Sequence, residues 1–407
     1  METMLPRCAG LDVHKSSVVA CSRITVDGKV TEEIETFATT TAALLTLLDW
    51  LDVRGVTHVA MEATGVYWKP VWHILEGSFE LVLANAAHIK NVPGRKTDVK
   101  DSAWVAKLLA HGLIRSSFVP PTPIQETRDL TRTRKQLVRE CGQHVQRIQK
   151  LLEDANIKAT EVISDLRGTT GRAVLAALIA GETNPEHLAD LCGRLRARRS
   201  EIVESLRGRV TNHHRFLLKL HVTQIDALED AVASIQLRLG ELIGPFREAV
   251  HLLKTIPGVS DVAANAIVSE IGLDMTRFPS AGHLIAWAGM CPRSDESAGK
   301  QRSTRLREGS PWLKTVLVQC AWAATRKKGS YFQAQFHRIR ARRGAKKAVV
   351  AVAASMLTAA YHMLLRSKPF EDLGADYFDR RDKNKQVGRL VRRLEALGLK
   401  VTIETAA

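Results

Sequence analysis

The chain has 407 residues, and its 59 Lys and Arg outnumber its 43 Asp and Glu, which gives a formal net charge of +16. This length accommodates two or three domains with cores of their own, and an apolar fraction of 45% excludes wholesale disorder. The positive excess predicts an anionic partner, most simply nucleic acid. Most of the excess is local, because residues 293–347 contain 15 Lys or Arg and 3 acids. Solvated helix surfaces are the alternative interpretation of this basic window.

The cysteines and the apolar segments exclude further classes of protein. The six cysteines are scattered and form no C-x-x-C pair, so a structural zinc site is not expected. The N-terminus lacks a signal-peptide pattern, and the longest apolar stretch, 345–365, is interrupted by Lys346, Lys347 and His362. We therefore expect a soluble, reduced, cytoplasmic protein with no membrane partner.

The N-terminal part alternates between strand and helix patterns. Residues 7–25 form two apolar runs around a polar break at 14–17, the pattern of two antiparallel strands joined by a turn. The predicted elements that follow are a strand at 30–37, a helix capped at 39–41, a strand at 57–62, a helix at 65–75 and a strand at 79–84. This is the order of a ribonuclease-H-like α/β domain, with a mixed sheet covered on both faces. We assign the domain to residues 1–122.

Four carboxylates occupy unusual places among these elements. Asp12 lies among apolar neighbours in the first strand, where a charge needs compensation; it either binds a metal ion or caps the turn. Glu62 ends the fourth strand. Asp98 and Asp101 share one face of the first turn of a helix expected at 97–111, where like charges repel and the helix N-terminus relieves this only partly. They either bind a divalent cation or are solvated acids that favour the helix start.

Long amphipathic helices are predicted in the middle of the chain. Apolar residues recur at intervals of three, four and seven from Leu130 to Ala155, and again from Ile225 to Leu242. Such stripes are typical of a coiled coil or an antiparallel helical hairpin, although an ordinary helical bundle produces similar ones. We assign residues 123–250 to a helical linker that spaces or oligomerises the protein.

A hairpin motif and a basic loop characterise the C-terminal part, which we assign to residues 251–368. Pro257 and Gly258 join two predicted helices and resemble the helix-hairpin-helix element of DNA-binding proteins, whose backbone N–H groups hold a phosphate. A plain turn between packed helices is the alternative. Residues 294–310 are polar, basic and glycine-bearing, so we expect a loop there, and residues 369–407 form a charged tail.

Taken together, the four acids predict a metal site. In a ribonuclease-H-like fold the middle strands and the following helix bring Asp12, Glu62, Asp98 and Asp101 to one edge of the sheet. Hard cations prefer carboxylate oxygens, and Mg²⁺ keeps open positions for phosphate oxygens. We expect one or two Mg²⁺ ions at these acids, where two ions would stabilise the attacking and leaving oxygens of a phosphodiester.

Five motifs in this order resemble the DEDD transposases of bacterial insertion sequences, a family of bridge-RNA-guided recombinases with a RuvC-like domain. They are Gly10-Leu11-Asp12-Val13-His14-Lys15, Met61-Glu62-Ala63-Thr64-Gly65, Lys96 to Ala103, Ile256 to Val259, and Glu296-Ser297-Ala298-Gly299-Lys300 with the Arg-rich segment after it. The resemblance covers nearly the whole chain up to about Leu365. The chain departs from the common pattern at Ser102, at Gly309-Ser310 and at Lys314, none of which is a proposed catalytic group.

The resemblance implies a second catalytic element, a serine that is Ser297 by motif position. Its hydroxyl would attack the phosphodiester and hold the cut strand as a phosphoserine ester. Ser294 and Ser303 are competing candidates, and a serine in a basic loop is otherwise a simple phosphate contact. The cationic groups expected to bind nucleic acid here are Arg293, Lys300, Arg302, Arg305, Arg307 and Lys314.

The resemblance also implies the partners. These are double-stranded DNA at the element ends and the target, an element-encoded guide RNA, and further copies of the chain in a dimer or tetramer, in which the acids of one subunit meet the serine of another. A bacterial cytoplasmic protein that associates with the nucleoid when bound to DNA is expected. The alternatives are a ribonuclease-H-like nuclease or junction resolvase that uses water as nucleophile, and a structural DNA- or RNA-binding protein.

Overall fold

The structure is a computed structural model that describes residues 3–63, 65–84, 89, 101–114, 116–193, 195–292, 295–297, 300–303, 305–381 and 383–403. The chain divides into two compact units, Met1–Val119 and Pro120–Ala407. The first unit is a mixed α/β fold and the second is mostly helical, as the sequence predicts.

The first unit contains a five-stranded mixed sheet with the strand order β3-β2-β1-β4-β5. The strands are β1 Arg7–Val13, β2 Ser17–Val26, β3 Lys29–Ala38, β4 His58–Glu62 and β5 Glu80–Ala84. The first three strands are antiparallel, whereas β4 is parallel to β1 and β5 is parallel to β4. The helices are α1 Thr41–Val53, α2 Trp68–Leu75 and α3 Asp101–Ala110.

Each face of the sheet has its own core. Leu11 and Val13 pack with Leu44, Leu47 and Val71 of α1 and α2 on one face. Residues of the opposite alternation, including Cys8, pack with apolar residues of α3 on the other face. The predicted coverage is incomplete at the edge, because β3 is exposed along its length except at Phe37.

The second unit begins with two long helices, and four short helices lie between them in the sequence. The long helices are α4 Thr122–Asp154 and α9 Asn212–Leu242, and between them lie α5 Ala159–Val162, α6 Thr169–Ala180, α7 Pro185–Asp190 and α8 Arg199–Ser205. The long pair is antiparallel, since Asp154 Oδ2 lies 2.7 Å from His214 Nε2 while His144 Nδ1 lies 3.2 Å from His221 Nδ1. The antiparallel hairpin predicted from the apolar stripes is therefore present; supercoiling of the pair and its use in oligomerisation stay predictions.

The C-terminal part of the second unit is built from further helices and one small hairpin. Its elements are α10 Arg247–Lys254, α11 Asp261–Ile271, α12 Ala281–Trp287, β6 Asp295–Ser297, β7 Lys300–Ser303, α13 Pro311–Ala324, α14 Tyr331–Arg343, α15 Ala345–Arg366, α16 Tyr377–Arg381 and α17 Lys383–Glu395. The expectation of an irregular loop at 294–310 is wrong, because β6 and β7 pair there. Their polar residues lack the apolar alternation by which a strand is recognised in a sequence.

The helix α15 contains the longest apolar stretch of the sequence, the one that Lys346, Lys347 and His362 interrupt. Its 22 residues have a mean hydropathy of 1.8 over an 18-residue window, so by length and composition it could cross a membrane. Half of that window is buried inside the protein, as in the core helix of a soluble domain. The buried residues include Val352, Met356 and Leu357, which explains why the helix is apolar.

Candidate active site

Asp12 lies near the carboxyl end of β1, between the buried residues Leu11 and Val13. Its neighbour Leu11 is fully buried, whereas the Asp12 side chain is 28% exposed. The Asp12 Oδ2 oxygen lies 3.2 Å from Nε2 of His14, which follows in the turn between β1 and β2. The carboxylate therefore remains accessible to solvent at the rim of the sheet.

Strand pairing places Glu62 beside Asp12. In the parallel ladder of β1 and β4, Gly10 pairs with Ala60 and Leu11 pairs with Met61. The next residue on each strand is an acid, so Asp12 and Glu62 lie at the carboxyl ends of adjacent parallel strands. Residues at matching positions of a ladder project from the same face of a sheet. The two carboxylates consequently share one face and one edge.

The helix α3 brings Asp101 to the same edge. It packs on the sheet face that carries Cys8 and Gly10, with Cys8 Sγ 3.5 Å from the carbonyl oxygen of Ala106. The N–H of Leu5 donates to the carbonyl of Ala110 at 3.1 Å, so the end of α3 lies at the start of β1. The helix therefore runs antiparallel to β1, and its first residue, Asp101, lies at the end of the strand where Asp12 is found.

A glycine makes this close approach possible. A Cβ atom at Gly10 would lie 2.3 Å from both the carbonyl oxygen of Ser102 and the backbone nitrogen of Ala106. Any larger residue would hold α3 away from the sheet. Ser102 is fully buried beneath this contact, and its hydroxyl has no hydrogen-bond partner among the residues that the structure describes.

Three of the four predicted metal ligands thus lie on elements that end at one edge of the sheet. Asp98 lies outside the described residues. In the described part of the chain, no group of three or more His, Cys, Asp or Glu is close enough to form a metal site. In chemical type the donors fit Mg²⁺, because carboxylates supply the hard oxygen ligands that this ion prefers.

Ser297 lies at the tip of the small hairpin in the second unit. In that hairpin Ser297 of β6 pairs with Lys300 of β7, so only two residues separate them at the turn. At the base of the hairpin, the N–H of Arg307 donates to the carbonyl of Cys291 at 3.1 Å. A Cβ atom at Gly309 would lie 2.3 Å from the backbone nitrogen of Gly289. The two glycines therefore allow the backbone segments at the base of the hairpin to contact each other. The serine therefore lies at the turn end of a short two-stranded ribbon formed by β6 and β7, the serine ribbon.

The cationic residues predicted to bind nucleic acid lie before, on and after this ribbon in the sequence. Arg305 and Arg307 are exposed, and Lys314 Nζ lies 3.4 Å from the carbonyl of Arg307. Lys300 and Arg302 lie on β7, for which the structure describes the backbone only. Arg293 and the competing Ser294 lie outside the described residues, and Ser303 ends β7 with its hydroxyl accepting from the N–H of Arg305.

The turn at Pro257 and Gly258 joins α10 and α11 as the sequence predicts. Gly258 has a φ of 83°, and a Cβ atom there would lie 2.5 Å from the carbonyl oxygen of Cys320 on α13. The glycine is needed both for the turn and for contact with α13. At the start of α11, Lys254 Nζ lies 2.6 Å from Asp261 Oδ1, and this lysine holds the pKa of the Asp261 carboxyl below its usual value. A phosphate-binding role for this turn stays a prediction.

Sequence reasoning missed a buried acid, Glu270, in the last turn of α11. It is 2% exposed and pairs with Arg132 of α4, at 2.7 Å and 2.9 Å between the guanidinium nitrogens and its two carboxylate oxygens. The Ser310 hydroxyl, which caps α13, donates to Glu270 Oε2 at 3.0 Å. Glu270 thereby ties together α4, α11 and the start of α13, just after the serine ribbon. The sequence pattern that could have identified Glu270 is the one that identified Asp12, namely a single carboxylate within an apolar run.

Two family models match the chain. A DEDD-type IS110 model, described as a transposase, matches residues 9–157. A model described as the transposase IS116/IS110/IS902 family matches residues 250–337. The first match contains Asp12, Glu62, Asp98 and Asp101, and the second contains the Pro257 turn and Ser297. Together the two matches span more than half of the sequence.

Two individual relatives are similar to parts of the chain. A "Pilin gene-inverting protein" of Moraxella bovis is 28% identical over 149 residues, which are 35% of this chain and 46% of that protein. A protein named "Putative transposase y4qE" of Sinorhizobium fredii is 24% identical over 247 residues, which are 60% of this chain and 52% of that protein. The chain spans about half the length of these relatives.

Proposed function

Since the chain belongs to the IS110 family of transposases, we propose that it is a DNA recombinase that excises and inserts its own insertion sequence. The observation that carries the proposal is the arrangement in the first unit. The parallel register of β1 with β4, and the antiparallel course of α3, bring Asp12, Glu62 and Asp101 to one edge of one sheet face. The similarity to a protein named "Pilin gene-inverting protein" is a further reason to propose DNA rearrangement.

The acids are proposed to hold Mg²⁺ at the reacting phosphodiester. Bound Mg²⁺ would neutralise charge on the phosphate oxygens and orient the scissile bond. The chain supplies Asp12 and Glu62 from strand ends and Asp101 from the first turn of α3, with Asp98 completing the set. Rigid elements suit this task, because strands and helices hold ligands more firmly than loops do.

Ser297 is proposed to be the nucleophile. Its Oγ attacks the phosphorus, forming an ester bond while the bond from phosphorus to the leaving sugar oxygen breaks; the serine loses its proton and the leaving oxygen gains one. The energy of the broken ester is kept in the new one, so resealing requires no nucleotide cofactor. The position of Ser297 at the turn end of the serine ribbon, a few residues before the exposed Arg305 and Arg307, supports this role.

The partners follow from the same proposal. Double-stranded DNA at the element ends and target is the substrate, and an element-encoded RNA supplies sequence specificity by base pairing, so that the protein reads backbone and shape. The protein acts in the bacterial cytoplasm as a homo-oligomer, a dimer or tetramer. The net charge of +16 supports nucleic-acid binding that weakens steeply with salt.

A nuclease or junction resolvase that uses water as nucleophile is the second candidate. It is favoured by one observation: the acids come together within Met1–Val119, a unit that does not include Ser297. In this candidate the second unit would only bind nucleic acid.

One incubation separates the two candidates. The protein is mixed with Mg²⁺, element-end DNA and the flanking RNA, and a DNA adduct that proteinase removes is sought and mapped by mass spectrometry. The proposal predicts an adduct on Ser297 that Ser297→Ala abolishes, with Ser303→Ala as the matched control. If Ser297→Ala still cuts without leaving any DNA adduct, while Asp12→Asn does not cut, water is the nucleophile. If neither substitution alters recombination in cells, both candidates are wrong.

Mixing variants tests whether the two catalytic elements come from different subunits. Asp12→Asn and Ser297→Ala would each be inactive alone, and a mixed oligomer would regain activity if one subunit supplies the acids and another the serine. Equal inactivity of the mixture, in an oligomer that exchanges subunits, would show that both must come from one chain.

A further inference from the structure

A cavity of about 540 Å³ lies in the second unit among α4, α9, α11 and α13. Its volume is within the range of pockets that bind small organic groups. The turn at Gly258 contributes to its wall, as does Trp312 in the first turn of α13. The proposed strand exchange makes no use of this cavity, so its lining requires another explanation.

The lining combines apolar, aromatic and charged groups, and its two acids, Glu270 and Asp261, are paired with Arg132 and Lys254. Val138, Leu239 and Val316 supply apolar surface. The half-buried Trp312 has two cations near its ring, with the Arg132 guanidinium carbon 5.7 Å and Lys135 Nζ 5.4 Å from the ring centroid. Lys135 is partly buried, and this burial lowers the pKa of its ammonium group.

Two polar atoms of lining residues are buried without a partner. Arg134 Nε and the side-chain amide oxygen of Asn265 make no hydrogen bond within the described part of the chain. Buried polar groups are normally paired, because leaving one unpaired is costly. Since Arg134 and Asn265 line the cavity, a ligand with an apolar ring and hydrogen-bonding edges would meet polar side chains beside the aromatic wall.

We propose that this cavity binds one unpaired nucleotide of a single-stranded nucleic acid, with its base against Trp312. The amide of Asn265 meets an edge of the base, and Arg134 and Lys135 lie near its phosphate. Aromatic stacking with amide and cationic contacts is the usual chemistry by which proteins hold unstacked bases. A paired base cannot enter such a cavity, so the site selects single strands over duplexes.

The inference rests on the proposed function, since a recombinase that opens duplex DNA and uses an RNA creates unpaired nucleotides. Continuity with the serine ribbon supports it. Trp312 follows Ser310 on α13, and Ser310 ends the basic segment that runs from the ribbon. A strand that contacts Arg305 and Arg307 can therefore continue towards Trp312.

Binding of labelled single strands to the full chain tests the inference. Fluorescence anisotropy is measured without Mg²⁺ for an unstructured 20-mer as RNA, the same 20-mer as DNA, and the matching DNA duplex. Trp312→Leu is expected to weaken the affinity for single strands roughly tenfold, because the stacking of about one base is lost. The affinity for the duplex should not change. Trp312→Phe should bind like the unaltered protein because it keeps the stacking face. Comparison of the RNA and DNA arms identifies which strand is held.

The matched control is Trp322 on the same helix. It is 42% exposed and packs against Phe336 outside the cavity, so Trp322→Leu should leave single-strand binding unchanged. Photocrosslinking of the unaltered protein to 5-iodouracil strands provides a second readout that needs no variant and should map to Trp312. An equal effect of Trp312→Leu on duplex and single strands, no effect at all, or crosslinks that map elsewhere would overturn the inference.

The two proposals fail in different ways. If the protein forms no adduct and cuts no DNA, yet Trp312 crosslinks to single strands, the recombinase proposal fails and the nucleotide site stands. If the protein recombines DNA while Trp312→Leu binds single strands as well as the unaltered protein does, only the nucleotide site fails.

Discussion

Replacing Gly10 with alanine should push α3 away from the sheet. This would displace Asp101 from the edge at which Asp12 and Glu62 lie and lower the cleavage rate. The added Cβ would lie 2.3 Å from two backbone atoms of α3, whereas ordinary contact begins at 3.4 Å. Because these atoms are backbone, no rotamer change relieves the overlap, and the helix must retreat by about 1.1 Å. Overpacking of this kind costs roughly 1–3 kcal/mol. A displacement of about 1 Å in a catalytic group can lower the rate about a hundredfold.

The experiment measures stability and cleavage separately. Urea unfolding followed by circular dichroism gives the loss of stability, and Mg²⁺-dependent cleavage of element-end DNA gives the loss of activity. We expect Gly10→Ala to lose about 1–3 kcal/mol of unfolding free energy and about two orders of magnitude in cleavage rate, under conditions where the protein stays folded. The activity loss arises because Asp101, on α3, moves relative to Asp12 and Glu62.

Gly142, on the long helix α4, is the matched control. A Cβ atom there meets nothing within 4 Å, so Gly142→Ala should be neutral or stabilise by about 0.5–1 kcal/mol, because alanine restricts the unfolded chain and favours helix. Normal stability and normal cleavage in Gly10→Ala would refute the close approach of α3 to β1. Lost stability with normal cleavage would show that the position of α3 does not govern the acids.

Three further predictions concern the remainder of the protein. Glu270→Ala should lower the free energy of unfolding in urea by about 3 kcal/mol, because it breaks a buried ion pair. This is the low end of the usual cost, since Arg132 is 32% exposed. A loss below about 1 kcal/mol would show that Glu270 does not tie the helices together. Burial, and then His144, lower the pKa of His221 below 6.5. The unfolded state therefore binds more protons than the folded state below pH 6.5, so stability should fall as pH drops through that region. His221→Gln should flatten this dependence, and an unchanged melting profile would contradict it. Only Cys291 is not buried among the six cysteines, and burial raises the pKa of Cys8 and Cys320 to about 11. A thiol reagent should therefore add one label to the native protein and six in denaturant, and rapid labelling of more than one native cysteine would contradict the burial of the other five.

The local patterns of the sequence predicted much of the fold. The turn at 14–17, the third strand and the first helix lie where alternation and capping residues placed them, because these signals act over a few residues. Asp12 was singled out because a charge in an apolar strand needs a reason. Two short strands at 295–303 were missed, since a polar hairpin outside a core has no apolar alternation to reveal it.

The contacts between residues distant in the sequence could not be predicted from local patterns. The register of Leu11 with Met61 and the approach of α3 to Gly10 decide which acids meet, and they depend on residues about fifty and about a hundred positions apart in the chain. The pairing of Arg132 with Glu270 and the cavity beside Trp312 likewise arise only when four helices assemble. Each of these features results from tertiary packing rather than from local propensity.

Mapping the metal site by iron-catalysed backbone cleavage tests the central claim most directly. Fe²⁺ replaces Mg²⁺, ascorbate and peroxide generate hydroxyl radicals at the bound ion, and the cut positions are read by mass spectrometry. The proposed site predicts cuts near Asp12, Glu62 and Asp101 that excess Mg²⁺ suppresses and that Asp12→Asn removes. Cuts confined to other segments, or cuts that neither Mg²⁺ nor Asp12→Asn affects, would contradict a metal site at this edge of the sheet.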